Sequence, residues 1–180
     1  MSAINATTGL VLRLEWVFPA SRAPVYRALT DPAELGRWWG PRGFTAPSVK
    51  LEPRVGGGYR IAMQPPEGAV FHLSGEFREV EPPARLAYTF RWDPPVADDR
   101  ETVVILALED QGAKTKVTLT QGEFATEERV ALHEAGWSES LERLEQVLGD
   151  TPAGQNPRPG EPDAVRCRDV NTVNSEAVRR

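Results

Sequence analysis

The sequence predicts an α+β domain in which one strand and two short helices lead into a six-strand antiparallel meander, and a long C-terminal helix closes the chain. Three observations carry this reading. From Phe44 to about residue 121 the side chains alternate, as in Phe71, Leu73, Gly75 and Phe77, or Leu86, Tyr88, Phe90 and Trp92; in a strand, alternate residues share a face. The links between these runs are short and rich in proline and glycine, and consecutive strands with short links pair antiparallel because parallel neighbours need long crossovers. After residue 126 the apolar spacing becomes helical, through Val130, His133, Trp137, Leu141, Leu144 and Leu148.

The first strand runs from Leu10 to Phe18, with Leu10, Leu12, Leu14, Trp16 and Phe18 on one face and Arg13 and Glu15 on the other. Pro19 closes it. Ser21 is placed to cap a helix starting near Arg22, with Pro24 in the first turn, where a missing N–H costs little. Val25, Ala28 and Leu29 form its stripe, and Asp31-Pro32 ends it because a residue before proline is pushed out of helical space. Asp31 also caps a second short helix through Leu35. Strands are then predicted at about 44–52, 57–64, 70–80, 85–92, 101–109 and 114–121. Gly56-Gly57-Gly58, Pro65-Pro66-Glu67-Gly68, Pro82-Pro83, Asp93-Pro94-Pro95 and Asp110-Gln111-Gly112 separate them, the glycine triplet reading as a flexible turn. The long helix spans about Glu127 to Leu148, capped by Thr126, with Glu127 and Glu128 complementing its dipole and Gly149 as the stop. Gly136 inside it costs about 1 kcal/mol against alanine, so it permits close approach or leaves space beside Trp137.

At 180 residues with 40% hydrophobic content the chain holds one domain with a sizeable core. The expected organisation is an N-terminal extension at 1–9, the domain at 10–149, and a Pro/Gly-rich mobile tail at 150–180. A net charge of −5 argues against nucleic acid, whose binders carry basic patches. No apolar run reaches the length of a membrane span, and the N-terminus has no signal-peptide pattern. A lone cysteine, Cys167, reads as an incidental thiol and fits a cytoplasmic setting.

Catalytic signatures are sparse. His133-Glu134-Ala135-Gly136-Trp137 has the start of a zincin helix, but Trp137 stands where the second histidine ligand belongs. Only His72 and Cys167 remain as further ligands of that kind, so no metal site and no cofactor are expected. The glycine triplet lacks a dinucleotide-loop pattern, no Gly-x-Ser-x-Gly elbow exists, and Ser74 and Ser138 have no base partner. Glu76, Glu79 and Glu81 with Arg78 read as a solvated face, and His72 points away from the apolar one. His133 shares the helix stripe with Trp137; with an ordinary pKa near 6.5 it is the one candidate proton carrier at neutral pH.

The order of elements is similar to that of the helix-grip fold. Val25-Tyr26-Arg27-Ala28-Leu29-Thr30-Asp31-Pro32 followed by Arg37-Trp38-Trp39-Gly40-Pro41 resembles the START-like (SRPBCC) proteins. More closely, it resembles the bacterial group related to the C-terminal domain of the activator of the ninety-kilodalton heat-shock protein's ATPase. Val55-Gly56-Gly57-Gly58-Tyr59, Val80-Glu81-Pro82-Pro83-Ala84-Arg85-Leu86 and His133-Glu134-Ala135-Gly136-Trp137 fall where that group carries similar runs, and the likeness covers about 10–148. The resemblance implies a curved antiparallel sheet of about seven strands wrapped around the long helix, with a hydrophobic cavity between them. Superfamily relatives bind lipids, sterols, hormones or polyketide intermediates, and some are cyclases or hydrolases. No invariant catalytic set carries over.

Binding of a small hydrophobic or aromatic ligand is therefore the leading expectation. The residues expected around it are Trp38, Trp39, Tyr59, Phe71, Phe77, Tyr88, Phe90, Trp92, His133, Trp137 and Leu141. The adjacent indoles Trp38 and Trp39 cannot both enter one core from a regular element. One is expected to anchor the junction of helix and sheet while the other lines the entrance. A ligand of about 15–20 heavy atoms would bind with Kd between about 0.2 mM and about 1 μM. The alternatives are an interaction module, as a homodimer or in chaperone contact within a stress response, and a cyclase- or hydrolase-type enzyme using the same pocket, with His133, Tyr59, Tyr88 or an inward-reaching arginine handling a proton.

Overall fold

The computed structural model describes residues 9–150. The expected extension at 1–9 and tail at 150–180 fall outside the described residues, save Gly9 and Asp150, as does Cys167. Strand β1 (Leu10–Phe18) leads into α1 (Arg22–Thr30) and α2 (Pro32–Trp38). The meander follows as β2 (Thr45–Leu51), β3 (Gly58–Gln64), β4 (Phe71–Glu81), β5 (Arg85–Asp93), β6 (Thr102–Gln111) and β7 (Lys114–Phe124), and α3 (Glu127–Asp150) completes the domain. The seven strands form one antiparallel sheet in the order β1-β7-β6-β5-β4-β3-β2. Each link in the meander joins neighbours, as its short turns require, while β1 closes onto β7 at the far edge. The fold is the helix grip: a curved sheet whose concave side holds α3.

The alternation read from the sequence is the alternation of burial. On β1, Leu12 and Phe18 are buried and Val11, Arg13, Glu15 and Val17 are exposed. On β6 and β7 the inward positions are Val104, Leu106 and Leu108 opposite Leu119 and Val117. Three indole N–H groups tie sheet and helix together along the length of α3. Trp92 donates to His133 Nε2 at 3.2 Å, Trp137 to Gln121 Oε1 at 2.7 Å, and Trp16 to Glu145 Oε2 at 3.0 Å.

At Gly75 the β4–β5 ladder is interrupted: no pair forms between Ser74↔Arg91 and Phe77↔Tyr88, and the register shifts just beyond, between Phe77 and Glu79. A Cβ on Gly75 would overlap the Thr89 carbonyl oxygen and crowd the Tyr59 ring. The bare glycine lets the Tyr59 hydroxyl donate to that carbonyl at 2.6 Å, while the Thr89 hydroxyl accepts from the Glu76 N–H at 2.9 Å. Glycine in a strand interior commonly marks such a close backbone approach.

Four local expectations are corrected. Ser21 occupies the N-cap position of α1 in extended conformation, but its side chain makes no capping bond. Gly149 lies inside α3, which continues to Asp150, and its φ is not left-handed, so it is not the stop. The glycine triplet is a tightly bonded turn instead of a flexible one: Gly56 N–H donates to Phe77 O at 2.9 Å and Phe77 N–H to Gly57 O at 2.8 Å. Strand β7 also runs on to Phe124, which pairs with Leu10. The caps at Asp31 and Thr126 are present, accepting from Glu34 N–H at 3.0 Å and Arg129 N–H at 3.3 Å.

Candidate functional site

At one end of the grip, α3 stands off from the sheet and leaves a cavity of about 430 Å³. Its floor is the inward face of β3, β4 and β5, through Met63, Phe71, Leu73, Phe90 and Trp92. One wall is the first half of α3, from Arg129 to Ser140, and another is the segment from Trp39 to Phe44. The β5–β6 loop closes the third side with Pro94, Val96 and Asp99. At the rim, Val96 and Leu132 are each 56% exposed, so the mouth itself is apolar. Gly136 borders the cavity, and a Cβ there would meet only the Pro41 ring at 3.9 Å. The helix glycine leaves space beside Trp137.

Both indoles are buried in one core cluster, with ring centroids 5.4 Å apart, and of the two Trp39 borders the cavity. Helix α2 ends at Trp38, and Trp39 is already extended, with φ −61° and ψ 132°. Trp38 is fully buried and gives its indole N–H to Ala28 O at 2.9 Å. Trp39 turns to the cavity and packs edge-on against Trp137 at a centroid distance of 5.3 Å.

Of the eleven residues expected around a ligand, Trp39, Phe71, Phe90, Trp92, His133 and Trp137 border this cavity. Trp38 and Leu141 are fully enclosed core residues. Tyr59, Phe77 and Tyr88 share the inward face but cluster at its other end, packed together at 5.3–5.9 Å around a void of only about 20 Å³. Alternation identifies a face, whereas the position along the strand decides whether a residue meets α1 and α2 or open space. Of the lining residues missed by the sequence reading, half come from connections, Gly40, Pro41, Phe44, Pro94, Val96 and Asp99, and half from β3, β4 and α3, Met63, Leu73, Arg129, Leu132, Gly136 and Ser140. Gln121 is a different case: a polar residue at an inward position of β7, fully buried, holding the Trp137 indole and donating to the Thr102 hydroxyl at 2.8 Å. Its phase was the available signal.

Two straps hold the cavity walls to α3. A single Arg143 nitrogen donates to the carbonyls of Trp39, Gly40, Pro41 and Phe44 at 2.8–3.2 Å. The exposed Arg42–Glu142 pair and the Arg42 N–H to Glu139 bond at 2.9 Å reinforce that strap. On the other side the Arg129 Nε lies 3.3 Å from Asp99, and Arg129 donates to Ala97 O at 3.0 Å. Asp99 also accepts from Val96 N–H at 2.7 Å, which fixes the loop's own turn.

His133 is not the neutral-pH proton carrier that its ordinary pKa implied. Burial lowers its pKa to about 4, with Arg129 adding to that and Asp99 opposing it. The Trp92 indole can only donate, so His133 Nε2 accepts and the ring is neutral. Tyr59 and Tyr88 hydroxyls are likewise pushed up by burial and remain protonated. Among the described residues no three His, Cys, Asp or Glu side chains are grouped to hold a metal ion. No described helix is long and apolar enough to cross a membrane.

Comparison with known proteins agrees with the architecture. A family profile described as Activator of Hsp90 ATPase homolog 1-like protein matches residues 19–149. The crystal structure of the AHSA1 protein from Silicibacter pomeroyi is 30% identical, covering 78% of this chain and 98% of that one, with a TM-score of 0.68. A crystal structure from Chromobacterium violaceum is 26% identical over the same shares, with a TM-score of 0.70. A solution structure from Arthrobacter aurescens is 25% identical, covering 85% of this chain and 93% of that one, at a TM-score of 0.70. No curated protein matches the sequence. Since the matched segment takes in both short helices, the whole meander and nearly all of α3, the chain belongs to the family of Activator of Hsp90 ATPase homolog 1-like proteins.

Proposed function

We propose that the protein binds a small apolar or aromatic molecule in the cavity between β3–β5 and α3. The supporting observation is the cavity itself: about 430 Å³ of space bordered by Trp39, Phe71, Phe90, Trp92 and Trp137. That volume falls within the range of about 300–1,000 Å³ common to small-molecule sites. The aromatic rings present both edges and faces, since Phe71–Trp92, Phe90–Trp92 and Trp39–Trp137 meet at angles between 57° and 81–84°. The neutral, hydrogen-bonded state of His133 favours binding over acid–base chemistry. A cytoplasmic setting accompanies this reading.

The test uses the neutral fluorescent probe N-phenylnaphthylamine and a variant that fills the space. Wild type is expected to bind it with Kd between about 1 and 200 μM. Gly136→Leu places a side chain where only Pro41 is near, so it should weaken binding at least about tenfold while thermal stability holds or rises, because Gly in a helix costs about 1 kcal/mol. Absence of binding by wild type, or equal affinity in Gly136→Leu, refutes the reading.

A further inference from the structure

The polar groups around the cavity are mostly spent on the protein itself. Trp92 gives its N–H to His133, Trp137 gives its N–H to Gln121, and Ser140 gives its proton to the Gly136 carbonyl at 2.7 Å. The Asp99 carboxylate accepts from Val96 and faces Arg129, which balances its charge at the rim.

Two N–H groups remain unspent. Because Nε2 of His133 accepts from an indole, the proton of the neutral ring sits on Nδ1, and that N–H has no acceptor among the described residues. The Trp39 indole N–H has none either, in contrast to the Trp38 indole beside it. Trp39 is 6% and His133 is 8% exposed, so both are more than nine-tenths buried. Yet neither nitrogen is sealed in packed protein: the Tyr26 hydroxyl is the one fully enclosed side-chain polar atom without a partner among the described residues. Both rings border the cavity. The unspent donors therefore open on space, and a donor in apolar surroundings is costly until an acceptor reaches it.

We propose that the Trp39 and His133 N–H groups are the recognition elements of this cavity, and that its ligand is a neutral apolar molecule carrying an accepting oxygen, such as a ketone, quinone, ester or ether. The inference rests on the ligand-binding reading and names the chemistry within it. A hydrocarbon of the same shape fills the space and leaves both donors unmet. An ammonium group would bring further donors to donors, and a carboxylate would have to leave water for a cavity whose one lining cation, Arg129, is already paired with Asp99.

Fluorene and fluorenone test this, because they match in shape but for one carbonyl. Equilibrium dialysis of the full chain should give fluorenone a Kd about fivefold or more below that of fluorene, the range of one net hydrogen bond. Trp39→Phe removes one donor while keeping a ring; His133→Phe also frees the Trp92 N–H, so it is made together with Trp92→Phe. Each of these two variants should lower the fluorene-to-fluorenone Kd ratio by about threefold. The ratio is internal to each variant, so a general loss of packing does not imitate the effect, and either variant serves if the other fails to fold. Equal Kd values in wild type, or variants that keep the wild-type ratio, overturn the proposal and leave the ligand-binding reading intact. Failure of both probes to bind wild type overturns both.

Discussion

His133 shows how one side chain's surroundings reverse the role its type suggests. Phe90, Trp92 and Phe124 enclose its ring at centroid distances of 4.9–5.8 Å, and the attraction of Asp99 does not make up for the water the charged form loses. Its folded-state pKa of about 4 lies below the ordinary 6.5, so the unfolded chain binds a proton more readily than the folded one. Stability from this group is therefore complete above about pH 6.5, falls as pH drops, and stops falling below about pH 4. Between pH 7.5 and pH 4.5 the loss amounts to about 2 kcal/mol. Protonation also removes the lone pair that accepts from Trp92. His133→Phe should abolish this part of the pH dependence: urea unfolding of both proteins at the two pH values should give a difference between their pH slopes of about 2 kcal/mol. Parallel slopes would contradict a buried neutral imidazole.

The segment from Trp39 to Phe44 is an element without secondary structure, and its order comes from α3. Four carbonyls converge on one Arg143 nitrogen, where a regular element would have satisfied them in its own ladder. Hydrogen bonds to a charged donor contribute about 1.5–3 kcal/mol. Arg143→Met keeps most of the stem packing and removes the charge and the donors, so a loss of about 2 kcal/mol is expected. The effect should be local. Amide exchange at Trp39 and Phe44, whose N–H groups bond Leu35 O at 3.0 Å and Pro41 O at 3.1 Å, should accelerate about tenfold or more, while amides in β6 and β7 keep their protection relative to global stability. Uniform acceleration across the sheet would place Arg143 in the global core instead. None of this was legible in the sequence, because Arg143 falls beside the apolar stripe of α3 and reads as an ordinary solvated residue. Adjacency suggested that one indole of the pair would leave the core, whereas both are buried in it and pack together; which of them borders the cavity was not legible either.

At the scale of the whole molecule, element order and sheet face were readable because period and turn chemistry are local properties. Cavity position was not, because filled core and open cavity are lined by the same aromatic side chains. Tyr59, Phe77 and Tyr88 differ from Phe71, Phe90 and Trp92 only in how far along the strands they lie. Between the two ends lies Gly75, where the β4–β5 ladder is interrupted and which the sequence presented as one more inward position of β4. The close approach of the strands there depends on the Thr89 carbonyl lying where a Cβ would be. Gly75→Ala must therefore push β5 away from β4, and that movement breaks the Tyr59 to Thr89 bond. Overpacking of this kind costs about 1–3 kcal/mol where side chains can yield; here the obstacle is backbone, so a loss of at least about 3 kcal/mol is expected in denaturant unfolding. The same close approach joins the strand that carries Phe71 and Leu73 to the strand that carries Phe90 and Trp92, and all four residues border the cavity. Probe binding in the folded fraction of Gly75→Ala should then weaken about tenfold, although the residue touches neither the cavity nor its ligand. If stability falls and affinity does not, the close approach holds the core together without setting the cavity, and the shape of the site must come from α3 and its two straps alone.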